Sequence, residues 1–449
     1  MNLFENTLKL NGFPIAEAKL KLQKIQQIAE TDYKNYIFGA RKEIVQHHIN
    51  NNSFYKNFIG NKMEIWEDIP IMTKNHLQMP LEKRLSNACK KNSVYINKTS
   101  GSSGTPFIFA KDKFCHALTW AEIMDRFGSL GIDFNTSLQA RFYGIPLDVK
   151  GYYKERIKDC FSHRYRFPIF DLSEEKLEEI LNSFKRKKFD YINGYTSSIV
   201  LFAKFIGKKK IILTEICPTL KYCIVTSEML FDDDKKLMED VFGVPVINEY
   251  GASELDLIAF TNAKNEFILN SETLFVEIID ENNIPVPLGS PGRIIITALY
   301  NKAHPMIRYD IGDVGILATS STYKKPILEK LIGRTNDTAK LPSGKIVPGL
   351  TFYYVTKSII SNDGNVKEFI IEQKQIDTFK IKYVAAKELS TVEKLEIEKS
   401  VAEYLEKDLK VIFERAAVLK RSKSGKLKQF VSLTEPGSIL KNNISKQDH

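Results

Sequence analysis

Five hydroxyl side chains and two glycines precede a proline in Thr99-Ser100-Gly101-Ser102-Ser103-Gly104-Thr105-Pro106. A backbone of this composition can wrap a polyanion. The glycines admit positive φ and place no Cβ in the way, so successive N–H groups can point into one concavity, and the hydroxyls add donors. The segment reads as a phosphate-binding loop, with a flexible Ser/Gly linker as the alternative. Val94-Tyr95-Ile96-Asn97 before it and Phe107-Ile108-Phe109 after it are short β-branched and aromatic runs, so the loop is expected to join two strands. That setting separates it from a P-loop NTPase, which needs Gly-Lys-Ser/Thr opening a helix. It also differs from a dinucleotide fold, whose glycines sit at a strand-to-helix turn.

Further polar segments follow at long intervals: Asn248-Glu249-Tyr250-Gly251-Ala252-Ser253-Glu254, Arg308-Tyr309-Asp310-Ile311-Gly312-Asp313, Gly333-Arg334-Thr335-Asn336-Asp337 and Ser424-Gly425-Lys426. In this order they resemble the signature motifs of adenylate-forming enzymes, the superfamily of acyl- and aryl-CoA synthetases. The closer resemblance is to the phenylacetate-CoA ligase branch, including its capsular-polysaccharide-associated relatives. Asp68-Ile69-Pro70-Ile71-Met72-Thr73-Lys74 and Asn193-Gly194-Tyr195-Thr196-Ser197 extend it over most of the chain.

The resemblance implies an ATP-dependent ligase that joins a carboxylic acid to AMP, expels pyrophosphate and transfers the acyl group to CoA. Two anions must meet in such a reaction, so it needs cations and donors more than a covalent nucleophile. Thr99, Ser100, Gly101, Ser102, Ser103, Gly104 and Thr105 would hold the β- and γ-phosphates. Phe107 stands where many superfamily members place a lysine, a charge that Lys111 or Lys113 could replace. Glu254 would bind Mg²⁺ bridging the phosphates, a hard cation suited to carboxylate oxygen. Tyr250, beside Gly251, Ala252 and Ser253, would stack on adenine. Asp313 would accept from the ribose hydroxyls, and Arg334 would contact ribose and phosphate. Ser227 and Glu228, after a buried strand, fit the sheet end where open α/β folds bind ligands. Lys426 would bridge the acyl carboxylate and α-phosphate, Asn336 would be the hinge, and Tyr143, Tyr195 and Ser198 would line the acyl pocket. An amine acceptor such as an aminosugar in polysaccharide biosynthesis, in place of CoA, and a non-catalytic nucleotide-binding protein stay open as alternatives.

The elements that must position these residues follow from pattern. At 449 residues the chain exceeds what one core usually serves, and 43% hydrophobic with 27% charged residues is a globular composition. Residues 1–90 are expected to be mostly helical. Strands and helices alternate between 170 and 250, indicating βαβ units with parallel sheet, and short strands from 266 to 300 indicate an antiparallel, barrel-like part. The fold expected is α/β, with an adenylating domain over 1–335 and a small mobile α+β domain over 336–449. The net charge of +10 suits polyanionic ATP and CoA. The lysine runs lack the aromatic interleaving of a nucleic-acid site, so no nucleic-acid partner is expected. No apolar run is long enough to span a bilayer, and the N-terminus lacks a signal pattern, so the expected location is cytoplasmic, with a homodimer allowed. Five cysteines without a C-x-x-C pair argue against disulfides. Relatives in this branch often carry a Cys/His zinc site after the Tyr-Gly motif, and residues 259–269 lack its ligands, so no zinc is expected.

Overall fold

The structure is a computed structural model, which describes residues 3–60, 65–99, 107–145, 149–334, 338–348, 366–421, 427 and 430–433. The N-terminal helices are Leu3–Leu10, Ile15–Gln26, Glu30–Asn51 and Ser53–Ile59. Asn52 caps the last of them, its Oδ1 accepting from Tyr55 N at 2.9 Å, and Gly60 ends it at φ 61°. Helix does not continue to residue 90. The described chain from 65 to 93 holds only three-residue 3-10 turns at Trp66–Asp68, Leu81–Lys83 and Lys91–Ser93. Pro70 and Pro80 each lack a donor and bias the residue before them toward extended backbone. Met72 instead bridges Tyr309 in parallel, with Met72 N donating to Arg308 O at 2.9 Å and Asp310 N to Met72 O at 2.8 Å.

Val94–Lys98 (β1) and Ile108–Asp112 (β2) form an antiparallel pair ending at Lys98 opposite Ile108. The Ser/Gly segment therefore does lie between two strands. Thr99 and Phe107 close its base: Thr99 N donates to Phe107 O at 3.0 Å and Phe107 N to Thr99 Oγ1 at 3.1 Å.

An 11-stranded sheet carries the rest of the first part of the chain. Its parallel half, in spatial order, is Arg164–Phe167 (β4), Gln139–Phe142 (β3), Tyr191–Tyr195 (β5), Tyr222–Thr226 (β6) and Val246–Ala252 (β7). The order then runs through Asp256–Thr261 (β8), Phe267–Leu269 (β9), Ile327–Arg334 (β13), Tyr309–Leu317 (β12), Pro291–Ala298 (β11) and Leu274–Ile279 (β10). The expected barrel-like part is thus the continuation of the same sheet. β7 is the seam, pairing in parallel with β6 and antiparallel with β8. Alternation along the parallel strands sends Ala140, Phe142, Ile192, Cys223 and Val225 into a core under the helices Glu174–Arg186, Thr196–Lys208 and Asp232–Phe242. Phe142, Ile192 and Val225 each contribute about 1.5–3 kcal/mol on burial. Gly194 has a specific reason to be glycine, because a Cβ there would stand 2.4 Å from Phe142 O.

The described residues divide into two compact units: one takes in those to Ile311 and again Gly315–Leu331, the other Gly312–Val314 and the described residues from Ile332 onward. The second unit holds a four-stranded sheet ordered Lys410–Arg415 (β18), Thr378–Ala385 (β17), Val366–Gln375 (β16) and Phe430–Ser432 (β19), plus a small pair, Thr338–Lys340 (β14) with Ile346–Pro348 (β15). Its helix Thr391–Tyr404 opens on a capping box, Ser390 N donating to Glu393 Oε2 at 2.6 Å and Glu393 N to Ser390 Oγ at 3.3 Å. Ile371, Phe379, Ile381, Ile397 and Val401 form its core.

Candidate active site

The strand that joins the two halves of the large sheet also carries the densest motif. β7 brings Glu249, Tyr250, Gly251 and Ala252 to its end, and Ser253 and Glu254 make the turn into β8. Gly251 permits that close return, since a Cβ would meet Asp256 O at 2.6 Å. Glu254 is 4% exposed, and Tyr309 donates its hydroxyl to Glu254 Oε1 at 2.8 Å. Tyr250 is mostly buried in the core and meets Phe267 edge-on at 6.0 Å, which leaves little of its ring for the adenine stacking expected of it.

Under the base of the hairpin the structure places a cation that the motifs do not reveal. Arg84 is buried, its Nη2 donating to Ile108 O at 2.7 Å and its Nε to Met79 O at 3.0 Å, with the guanidinium 5.6 Å from the Phe107 ring centre. Its third partner is His304 Nε2. Burial pulls the Arg84 pKa down to about 10, and burial with the Arg84 charge holds His304 well below the usual imidazole range. His304 is therefore a neutral acceptor. Phe107, 6.4 Å from Tyr309, fills the space around it with apolar surface. Neither expected substitute lysine stands free at the loop. Lys111 is buried and ion-paired to Asp256; burial disfavours its charge, but the carboxylate outweighs this and leaves its pKa raised. Lys113 lies against Gly12.

At the end of β6, Thr226 Oγ1 donates to Glu249 Oε1 at 2.9 Å, and Ser227 adopts φ 69°. Burial raises the Glu249 pKa against the lowering effects of Thr226 and Arg141. Glu228 turns to the neighbouring helix, accepting from Ser197 N at 2.7 Å, where an anion meets the unpaired N–H groups of a helix start. Beside it the Tyr143 and Tyr195 rings lie 4.6 Å apart, and the Arg141 guanidinium sits 3.9 Å from the Tyr143 ring centre. Register places Gln139 opposite Arg164, and Arg141 opposite both Arg166 and Asn193, so this face of β3, β4 and β5 is polar. Among the described residues Arg141 Nε and Arg164 Nε are buried without a partner, and burial, then the Arg141 charge, push the Arg164 pKa down to about 10. Sequence reasoning did not single out these arginines, although their period-two spacing was visible. Ser198 is fully buried, with its Oγ unpaired.

Arg308 ties the Asp68–Lys74 segment to β12. Its Nη1 donates to Trp66 O, Glu67 O and Ile69 O at 3.3, 2.6 and 2.9 Å, and its Nε stands 3.5 Å from Glu277 Oε2. Asp313 is buried within β12, in the short stretch assigned to the second unit. Arg334 ends β13, and its side chain is not among those described. Ser100, Gly101, Ser102, Ser103, Gly104, Thr105, Asn336 and Lys426 lie outside the described residues. Among the described residues no group of three or more His, Cys, Asp or Glu side chains is arranged to hold a metal ion, and no helix is long and apolar enough to cross a membrane. Glu254 nonetheless fits the one part expected of it, because magnesium is commonly held by one or two carboxylates together with substrate phosphates, and the Tyr309 bond falls on Oε1 alone.

No family model matches the chain. It is 23% identical over 378 residues to Protein CapK of Staphylococcus aureus, covering 79% of each chain. It is also 25% identical over 200 residues to the phenylacetate-coenzyme A ligase of Aromatoleum evansii, covering 43% of this chain and 44% of the relative. Among solved structures, 2-hydroxyisobutyryl-CoA ligase in the postadenylation state superposes with a TM-score of 0.67 at 15% identity, over 91% of this chain and 90% of that one. The anthranilate-CoA ligase AuaEII in complex with anthranoyl-AMP gives 0.51 at 14% identity, over 74% and 64%. The chain has the mixed α/β fold of these adenylate-forming ligases.

Proposed function

We propose that this chain, whose homologues and structural neighbours are phenylacetate-CoA ligase-like and other adenylate-forming ligases, activates a carboxylic acid as its acyl-adenylate and transfers the acyl group to CoA. The observation that supports this best is the convergence on Tyr309. Its ring lies 6.4 Å from Phe107 at the base of the Ser/Gly loop, and its hydroxyl holds Glu254 at 2.8 Å. A candidate phosphate loop and a candidate metal carboxylate thus share one anchor. In this reading Thr99 to Thr105 hold the phosphates, with the buried Arg84 charge beneath them. Asp313 and Arg334 hold the ribose, and Ser227 lies beside the nucleotide. When bound at Glu254, magnesium would neutralise charge between phosphate oxygens. Lys426 bridges the acid and the α-phosphate, and the domain over 336–449 turns about Asn336 so that this lysine can leave before the acceptor enters.

Tyr143 and Tyr195 form the wall of the acyl site, with Arg141 on it. An acid bearing a further hydroxyl or anionic group suits that wall better than a purely apolar one, because Arg141 Nη1 is held by Gln139 Oε1 at 3.2 Å while its buried Nε has no partner among the described residues and would stay unsatisfied beside an apolar ligand. A second reading keeps the adenylation but gives the acyl group to an amine such as an aminosugar, an acceptor suited to polysaccharide; the likeness to Protein CapK, a capsule-associated homologue, supports keeping it. Both place the reaction in the cytoplasm. Incubation with ATP, Mg²⁺ and a panel of carboxylic acids, with hydroxylamine as trap, tests the shared step. Acid-dependent hydroxamate with release of AMP is expected. ATP binding without hydroxamate from any acid would favour a silent nucleotide-binding protein. Omitting hydroxylamine and adding CoA or an aminosugar then separates the acceptors.

A further inference from the structure

The crossover helix between β3 and β4, Val149–Phe161, sorts its side chains by charge. Its two acids turn inward to one arginine. Asp159 accepts from Arg166 Nε at 2.7 Å and Nη2 at 2.9 Å, and Glu155 accepts from Nη2 at 3.0 Å. The outer face carries no acid. Val149, Tyr153, Ile157 and Phe161, each four residues from the next, are 73%, 63%, 58% and 48% exposed. Lys150, Lys154 and Lys158 are exposed beside them, each next in sequence to a member of the stripe, and Lys158 reaches back to Glu155 at 2.7 Å.

Single exposed apolar residues are ordinary, but four aligned on one helix with a basic flank are the composition of an interfacial helix. We propose that this helix docks the protein on an anionic lipid bilayer, lying in the plane of the interface. The apolar stripe enters the boundary between headgroups and acyl chains, while the lysine stems run along it and keep their ammonium groups at the phosphates. Charge decides the occupant. A second copy packed face to face would set lysine against lysine, whereas an anionic surface attracts them, and the net charge of +10 acts in the same direction. The helix has 13 residues, about 20 Å at the usual rise, so it lies on the bilayer and does not cross it.

The test is co-sedimentation of the full chain with vesicles, one set of phosphatidylcholine alone and one of equal parts phosphatidylcholine and phosphatidylglycerol. Binding to the second set only, weakening as salt is raised, is expected. Lys150→Glu/Lys154→Glu should lower the partition coefficient at least roughly 25-fold, from about fivefold for each lysine near an anionic surface. Tyr153→Ser/Ile157→Ser should also lower it, with melting temperature unchanged in both variants. No preference for anionic vesicles, or binding that neither variant weakens, would overturn the proposal. So would a dimer in solution that Tyr153→Ser/Ile157→Ser dissolves, since the face would then belong to a second copy.

Discussion

Replacing Tyr309 by Phe removes one oxygen and leaves the ring. The ring is fully buried beside Phe107 at 6.4 Å, so its packing is retained. What disappears is the hydroxyl that holds Glu254 Oε1 at 2.8 Å. A hydrogen bond to a charged group contributes about 1.5–3 kcal/mol, and at 1.36 kcal/mol per tenfold this corresponds to roughly 10- to 150-fold in rate. The loss should fall on adenylation, because Glu254 is needed only while the triphosphate is present. Acid-dependent ATP–pyrophosphate exchange measures that half-reaction. Acyl transfer from supplied acyl-adenylate measures the other and should change far less. Exchange by Tyr309→Phe within twofold of wild type, at unchanged melting temperature, would refute the idea that Tyr309 positions Glu254 for catalysis.

Lys426→Ala should reduce adenylation by about 10²- to 10³-fold, the cost of one contact made mainly in the transition state, while sparing transfer from supplied adenylate; equal loss in both would remove it from this role. Asp313→Ala should chiefly raise the KM for ATP, and an unchanged KM would take it out of the nucleotide site. Glu122 offers a pH test of the fold. It is buried, accepts from Thr273 Oγ1 at 2.6 Å and has a partnerless second oxygen, and burial, then Glu272, push its pKa up to about 8. A carboxyl raised on folding favours the folded state fully below its ordinary pKa near 4.5 and loses that advantage as pH rises toward 8. The melting temperature of Glu122→Gln relative to wild type should therefore climb between about pH 5 and pH 9, and a pH-independent difference would refute the assignment.

Local signals carried much of the architecture. The short apolar runs at Tyr191 and Tyr222 and the alternating run at Phe379 coincide with observed strands, and the Ser/Gly segment lies between strands as its flanks imply. Residues 65–90 misled because their composition resembles the helices before them, whereas Pro70, Pro80 and the pairing of Met72 with Tyr309 decide their path. The site was legible only as types in order. Its contacts are long-range: Arg84 meets His304 across 220 positions, Lys111 meets Asp256 across 145, and Tyr309 meets Glu254 across 55. No window of sequence contains both partners, so the loss of a phosphate-loop lysine at Phe107 could be seen, but the buried Arg84 beneath it could not.

In the proposed adenylation a carboxylate oxygen attacks the α-phosphorus of ATP, and isotopic labelling follows that oxygen. With the acid that gives the most hydroxamate, labelled with ¹⁸O in its carboxyl group, turnover to completion should leave one labelled oxygen in AMP and none in pyrophosphate. AMP without label, or label appearing in inorganic phosphate alongside ADP, would contradict an acyl-adenylate.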